Sequence, residues 1–161
     1  KITPLMYACQ LGHQKIVQLL IDNSVKIEAR DRHQRTATIH AAMCGHSRTL
    51  SYLLRLGANP NVCDSSGNSC LHYACAYGWY YCVKVLLDAG AQINVLNDWK
   101  LTPFGTAFLK GHVGLCDQLL ILYPKQIDIN FRTEDGETLV MLCKNFNHFN
   151  KKIQNQFLDF L

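Results

Sequence analysis

No stretch of this sequence approaches the run of about 20 apolar residues that a membrane helix requires. The opening Lys1-Ile2-Thr3-Pro4 also lacks the apolar core of a signal peptide. These absences lead to the expectation of an intracellular chain, cytoplasmic or nuclear, with no membrane insertion in this segment. A Gly-rich phosphate loop, a Gly-x-Ser-x-Gly elbow and a His-Glu-x-x-His helix are missing too, so no phosphate cradle, activated serine or zinc-hydrolase signature is at hand. The expectation is therefore no enzyme activity and no cofactor. A large excess of either sign of charge is lacking: the formal total is only +4 over 161 residues. Its distribution says more, because residues 1–60 hold Lys1, Lys15, Lys26, Arg30, Arg32, Arg35, Arg48 and Arg55 against Asp22, Glu28 and Asp31. Only this early segment is basic, which suits an acidic partner or a plain solvated surface.

What the sequence does have is 48% hydrophobic and 17% charged residues, ordinary for a folded domain, and an internal repeat. Thr3-Pro4-Leu5-Met6-Tyr7-Ala8-Cys9-Gln10-Leu11-Gly12-His13 has equivalents that start at Thr36, Ser69, Thr102 and Thr138. The steps are 33, 33, 33 and 36 residues. Ala8, Ala41, Ala74, Ala107 and then Cys143 fill the sixth position, and Gly12, Gly45, Gly78, Gly111 and then Asn147 the tenth. Each unit continues into a second helical pattern, such as Val83-x-Val85-Leu86-Leu87.

One unit can be built from these residues. A Thr or Ser hydroxyl caps a short helix, and Pro4 and Pro103 suit its first position. Alanine keeps one helix face thin, so that a neighbouring unit can approach. Glycine permits the positive φ that ends the helix, and the chain turns into a second helix with its apolar stripe inward. Gly57-Ala58-Asn59-Pro60-Asn61 and Asp64-Ser65-Ser66-Gly67 then read as a helix stop and a protruding turn.

This pattern resembles the ankyrin repeat family over nearly the whole chain. Its Thr-Pro-Leu-His-x-Ala core stands here as Ser69-Cys70-Leu71-His72-Tyr73-Ala74, and its Gly-His close as Gly12-His13, Gly45-His46 and Gly111-His112. The resemblance implies an all-α solenoid of about five helix-turn-helix units with short β-hairpin fingers, one domain over 1–161 within a longer protein. The units are expected at about 3–35, 36–68, 69–101, 102–137 and 138–161. The first lacks its preceding finger, which suggests more repeats or another domain upstream. The three-residue excess near Leu122-Tyr123-Pro124-Lys125-Gln126 lengthens one join, and the fifth unit is worn.

Seven histidines and eight cysteines invite a metal or catalytic reading that the repeat argues against. His13, His46, His112 and His148 share one repeat position, and the resemblance implies that this imidazole ties the inter-helix turn to neighbouring backbone. His72 falls on the motif's own histidine, leaving His33 and His40 unexplained. Cys9, Cys75 and Cys143 replace small residues of the first helix, and Cys82 and Cys116 stand at apolar positions of the second. Cys44, Cys63 and Cys70 fall outside those positions and are candidate exposed thiols. Cys70-x-His72-x-x-Cys75 lacks the paired Cys-x-x-Cys spacing of zinc sites, and disulfides do not suit a reducing compartment. No metal site is expected.

The resemblance also implies where a partner sits: on the finger tips and the exposed face of each first helix. Carried onto this chain, the candidates are Arg30, Arg32, His33 and Arg35, then Met43, Ser65, Ser66 and Tyr77, then Asp98, Trp99, Leu101 and Lys110. Arg30, Arg32, His33 and Arg35 make a basic tip suited to an acidic segment. Trp99 and Tyr77 project toward one groove and are of the type that becomes a hot spot. Alternatively, Trp99 folds back on Leu96 or Leu101. Trp79-Tyr80-Tyr81 interrupts the Gly-His close and is expected to cover the outer side of the third unit. Asn61, Asn94 and Asn130 match the asparagine that hydroxylases modify in this family. The expected function is a monomeric module that binds a protein or peptide, as scaffold, adaptor or targeting arm. The alternatives are an oligonucleotide- or nucleotide-binding stack, or the regulatory arm of an enzyme or channel domain outside this segment.

Overall fold

The computed structural model describes residues 1–133, 135–138 and 141. Among them eight helices form four pairs. The first helices are α1 (Pro4–Gln10), α3 (Ala37–Met43), α5 (Cys70–Ala76) and α7 (Pro103–Leu109). The second helices are α2 (Gln14–Asp22), α4 (Ser47–Arg55), α6 (Tyr80–Asp88) and α8 (Val113–Leu122). No described helix is long and apolar enough to cross a membrane.

Each first helix starts where the sequence places a hydroxyl. The side-chain oxygens of Thr3, Thr36, Ser69 and Thr102 accept from the backbone N–H three residues on, at 3.2, 3.4, 3.3 and 3.0 Å. Thr138 does the same for Met141 at 3.4 Å, the N-cap of a fifth start. The rest of that unit, with Cys143, Asn147 and His148, lies outside the described residues.

Each first helix ends in a 6→1 turn. The N–H of His13, His46, Trp79 and His112 reaches the carbonyls of Ala8, Ala41, Ala74 and Ala107 at 2.8–3.0 Å. The residue before each donor is a glycine with φ between +69° and +79°. Positive φ is only half of the reason for glycine there. A Cβ on Gly12 would stand 2.5 Å from the His46 ring, one on Gly45 2.7 Å from Trp79, and one on Gly78 2.7 Å from His112. The ring of each unit thus seats on the glycine of the unit before it.

From that seat the ring reaches backbone. His46 Nε2 lies 3.0 Å from the Gln10 carbonyl and His112 Nε2 2.9 Å from that of Ala76. A carbonyl only accepts, so in both rings Nε2 carries the proton. Between them in the series, the Trp79 indole Nε1–H donates to the Met43 carbonyl at 3.1 Å. The expectation that Trp79 covers its own unit's outer side is therefore corrected. Indole N–H is a donor only, so tryptophan can take the imidazole's place, and its ring reaches back to the second unit.

The first helices stack in sequence, α1 on α3 on α5 on α7, and the second helices follow, α2 on α4 on α6. Ala8, Ala41, Ala74 and Ala107 are buried, as thin faces at such a joint must be. Leu5, Leu50, Leu53, Leu71, Leu86, Phe104 and Phe108 fill the core. At the fourth unit the pattern changes: Gly105 stands where His72 stands in the third, and a Cβ there would lie 2.3 Å from the Phe131 ring. Phe131, 5% exposed, occupies the room that a side chain on residue 105 would take. The longer join is visible as well. Helix α8 has ten residues against nine in its counterparts, and a turn closed by Gln126 N–H on the Tyr123 carbonyl follows it.

Candidate functional site

The fingers are built by one repeated device. A side-chain oxygen at the finger base accepts from backbone N–H groups two and four residues on: Asp31 from His33 and Arg35, Asp64 from Ser66 and Asn68, Asn97 from Trp99 and Leu101. These are Asx turns, which need only an oxygen at the right reach. Thr133 accepts from Glu137 in the fourth finger. Successive tips are joined by backbone, with Ser65 N–H on the His33 carbonyl and Asp98 N–H on that of Ser66. The hairpin character is slight: among the described residues the fingers contribute only the isolated bridges Cys63–Ser69 and Arg132–Thr138.

His40, which the repeat left unexplained, anchors the first finger. Its Nε2 lies 3.2 Å from Asp31 Oδ2, and both side chains are 1% exposed. In the third unit the Tyr73 hydroxyl, one repeat on, donates to Asp64 Oδ2 at 2.6 Å. Burial alone would raise the Asp31 carboxyl, but the backbone N–H groups of Arg35 and His33, the Arg35 guanidinium and the His40 ring hold it at about 2. Burial pushes the His40 imidazole below its usual value, against the pull of Asp31. It is neutral at physiological pH, with Nε2–H donating to the carboxylate and Nδ1 buried without a hydrogen-bond partner.

This arrangement alters the basic tip. Arg35 Nε donates to Asp31 Oδ2 at 2.9 Å, so its charge is paired inside the finger. Arg30 Nη1 donates to the carbonyls of Gln34 and Cys63 at 3.0 Å each, stitching two fingers together. Arg32 Nε donates to His33 Nε2 at 2.9 Å, and these two side chains are exposed. The four residues are adjacent, as their spacing implies, but two of the three guanidiniums are already engaged in holding the fingers.

The aromatic part of the stripe is brought together more fully. Tyr77, at the C-cap of α5, and Trp99, in the third finger, are 51% and 50% exposed. They line one groove of about 430 Å³ with Leu101, Lys110, Asn68, His72, Tyr73, Ala76, Asn97 and Thr106. Trp99 keeps half its surface open while lining the groove with Leu101, and Leu96 is itself 48% exposed. Met43 is half-buried and its carbonyl is taken by Trp79. Ser65 and Asp98 are exposed at their tips and Ser66 is half-buried.

His72 holds the floor of the groove. Its Nε2 donates to the Leu101 carbonyl at 2.9 Å, and Nδ1 accepts from the Ser69 N–H and lies 2.9 Å from its hydroxyl. Burial lowers its pKa, although the Leu101 carbonyl and the charge of Asp64 favour the protonated form.

All seven described cysteines are free thiols. The expectation for Cys70 is overturned: it is fully buried at the first position of α5, where Ala37 and Pro103 are buried in their units. Burial pushes its thiol far up, and those of Cys9 and Cys82 up to about 12. Cys44 and Cys63 are half-buried, and burial raises them too. Cys9, Cys70, Cys75 and Cys82 are small core groups, poor in thiolate. No group of three or more metal-ligating side chains converges among the described residues.

Two of the three hydroxylation candidates bridge adjacent units. Asn61 donates from Nδ2 to the Gly90 carbonyl and accepts at Oδ1 from Gln92 N–H. Asn94 repeats this with Gln126 and Asp128. Asn130 is exposed, and its N–H meets Asp128 Oδ1.

With this geometry in place, the comparisons with known proteins agree. The family model for ankyrin repeats in three copies matches residues 1–64 and 49–133. The chain belongs to the ankyrin repeat family. It is similar to a poly[ADP-ribose] polymerase tankyrase of Caenorhabditis elegans, 39% identical over 87% of this chain and 6% of that protein. It is also similar to the probable E3 ubiquitin-protein ligase XBOS32 of Oryza sativa subsp. japonica, 29% identical over 87% of this chain and 34% of the ligase. A third relative, the ankyrin repeat domain-containing protein SAT10 of Stachybotrys chartarum, is 30% identical over 88% of this chain and 8% of its own length. The chain thus spans about a third or less of these relatives. Ankyrin repeats are protein-interaction units and not catalytic ones.

Proposed function

We propose that residues 1–161 act as one repeat domain that holds a protein partner along the concave stripe, as a scaffold, adaptor or targeting module inside the cell. The observation that carries this reading is the groove between the third and fourth units, where Tyr77 and Trp99 are half exposed beside Leu101 and Lys110. Large aromatic groups held on a rigid support lose little entropy when covered, which is why such residues dominate binding energy. Arg32 and His33 at the first described finger tip extend the stripe.

The test is binding of the partner to the wild-type chain and to a Trp99→Ala, Tyr77→Ala double variant. Both side chains are exposed, so the melting temperature should hold while affinity falls by tenfold or more, about 1.4 kcal/mol. Affinity kept within twofold would remove this placement.

A second reading is favoured by the relatives named as a polymerase and a ligase, of which this chain matches only a part. In that reading the repeats present a partner to a catalytic region elsewhere in the same protein. The partner would then become a substrate, and modification of it that is lost with the double variant would distinguish this from pure scaffolding.

A further inference from the structure

We infer that the ligand of the groove between the third and fourth units is an acidic peptide. In it a carboxylate lies within two or three residues of an apolar or aromatic side chain, the carboxylate meeting Lys110 and the apolar group meeting Tyr77 and Trp99. This rests on the reading of the groove as a peptide site, and it moves the acid-binding position away from the arginine tip.

Two of the three arginines are poorly placed to receive an anion, and the third, Arg32, is exposed on His33 at a tip that does not line this groove. Arg35 is paired with Asp31, and Arg30 spans two backbone carbonyls. Recruiting either one would break contacts that hold the fingers. Lys110, by contrast, is exposed at the C-cap of α7 and forms no ion pair among the described residues. Among the described residues it is the only formally charged side chain lining the groove.

The neutral lining also favours acceptors. Asn97 Oδ1 already accepts from Trp99 and Leu101, and its Nδ2 donates to Asn68 Oδ1 at 2.9 Å. Asn68 Nδ2 in turn donates to Asp64 Oδ2 at 3.4 Å. Each amide NH₂ carries two hydrogens, and the described residues take one from each asparagine. Both His72 nitrogens are engaged, and the Thr106 hydroxyl donates to the Thr102 carbonyl. Neither neighbouring carboxylate lines the groove: Asp64 accepts from Ser66, Asn68 and Tyr73, and Asp98 stands exposed at the finger tip beside Gly67. A lysine with amide and aromatic neighbours selects carbonyl and carboxylate oxygens next to apolar carbon. A basic peptide would meet Lys110 inside the groove, with a carboxylate only at the rim, on Asp98. Lys110 and Tyr77 are the C-caps of the packed helices α7 and α5, whose axes stand about 8–10 Å apart, and an extended peptide advancing about 3.3 Å per residue covers that in two or three residues.

The probe is a phage-displayed dodecapeptide library panned against the immobilised chain, wild type and Lys110→Glu in parallel. Peptides from the wild type should be enriched in Asp or Glu near Trp, Tyr, Phe, Leu or Pro. A synthetic copy should bind Lys110→Glu at least fivefold more weakly, because an exposed attraction becomes a repulsion. The Lys110→Glu selection should shift toward Lys and Arg. Unenriched acids, or affinity within twofold on Lys110→Glu, would overturn the inference. If such peptides still depend on Trp99 and Tyr77, only the acid preference falls. If the bound peptides ignore all three substitutions, the peptide-site reading falls with it. Unchanged thermal melting of Lys110→Glu excludes misfolding as the cause.

Discussion

The Trp79 indole donates to the Met43 carbonyl across a unit boundary at 3.1 Å, and its ring covers the backbone of Gly45. His46 on Gln10 and His112 on Ala76 make the same reach with an imidazole. The repeat therefore conserves a geometry within itself, a planar N–H donor seated on a left-handed glycine, while the residue type varies.

Replacing the donor tests this directly. Trp79→Ala should lower stability by about 1–2 kcal/mol, through a lost hydrogen bond and a void above Gly45. Trp79→His should recover more than half of that loss. Urea unfolding followed by circular dichroism measures both, and a histidine variant no better than alanine would mean that the hydrogen bond contributes nothing.

Glycines at two kinds of turn should respond differently. Gly57 has φ +88° with open space around it, so Gly57→Ala carries only the backbone term, about 1 kcal/mol. Gly45→Ala adds a Cβ 2.7 Å from the Trp79 ring and should cost at least about 1 kcal/mol more. In a Trp79→Ala background this excess should vanish, which a double-mutant cycle detects.

The converse substitution should stabilise. Ser24 (φ 61°) and Gln34 (φ 62°) hold left-handed positions that Gly57, Gly90 and Gly67 fill in later units. Relief of about 1–2 kcal/mol of strain outweighs the entropy of a new glycine, about 0.5–1 kcal/mol. Ser24→Gly and Gln34→Gly should each raise the melting temperature, and a fall in both would refute the strain argument.

Acid should loosen the first finger. Asp31 titrates at about 2 in the folded chain, below the ordinary 3.8. Its contribution, roughly 2 kcal/mol, is complete above the unfolded pKa and is lost as pH falls from about 4 toward 2. His40 has a depressed pKa as well, so the folded state resists its protonation and stability declines as pH drops below the ordinary histidine value of 6.5. Asp31→Asn should be less stable at pH 7 and should lose much of the limb below pH 4, as thermal melting against pH would reveal. An unchanged limb would place the acid sensitivity elsewhere.

The helices were legible because their signals are local. Thr3, Thr36, Ser69 and Thr102 cap within three residues, and the Gly turns close within six. Tyr77 and Trp99 were legible as one site because a constant 33-residue step puts a finger beside the preceding first helix. The fate of the basic tip was not, since nothing in Arg30-Asp31-Arg32-His33-Gln34-Arg35 tells which cation turns inward. The donor role of Trp79 was hidden because a motif search scores residue identity, and indole and imidazole share only an N–H.

The sequence by itself determined the repeat, its helix starts and stops and the family, all of which follow from near neighbours and a fixed period, while the stripe proposed for a partner came from the family resemblance. Only the tertiary structure decided that Cys70 is buried, that His40 and Tyr73 are paired with finger carboxylates, and that Lys110 is the one cation that lines the groove among the described residues. Those outcomes depend on which side chains meet when the units stack and the fingers fold back on their helices. Burial and hydrogen-bond partners are set there, between residues as far as 36 apart in the chain.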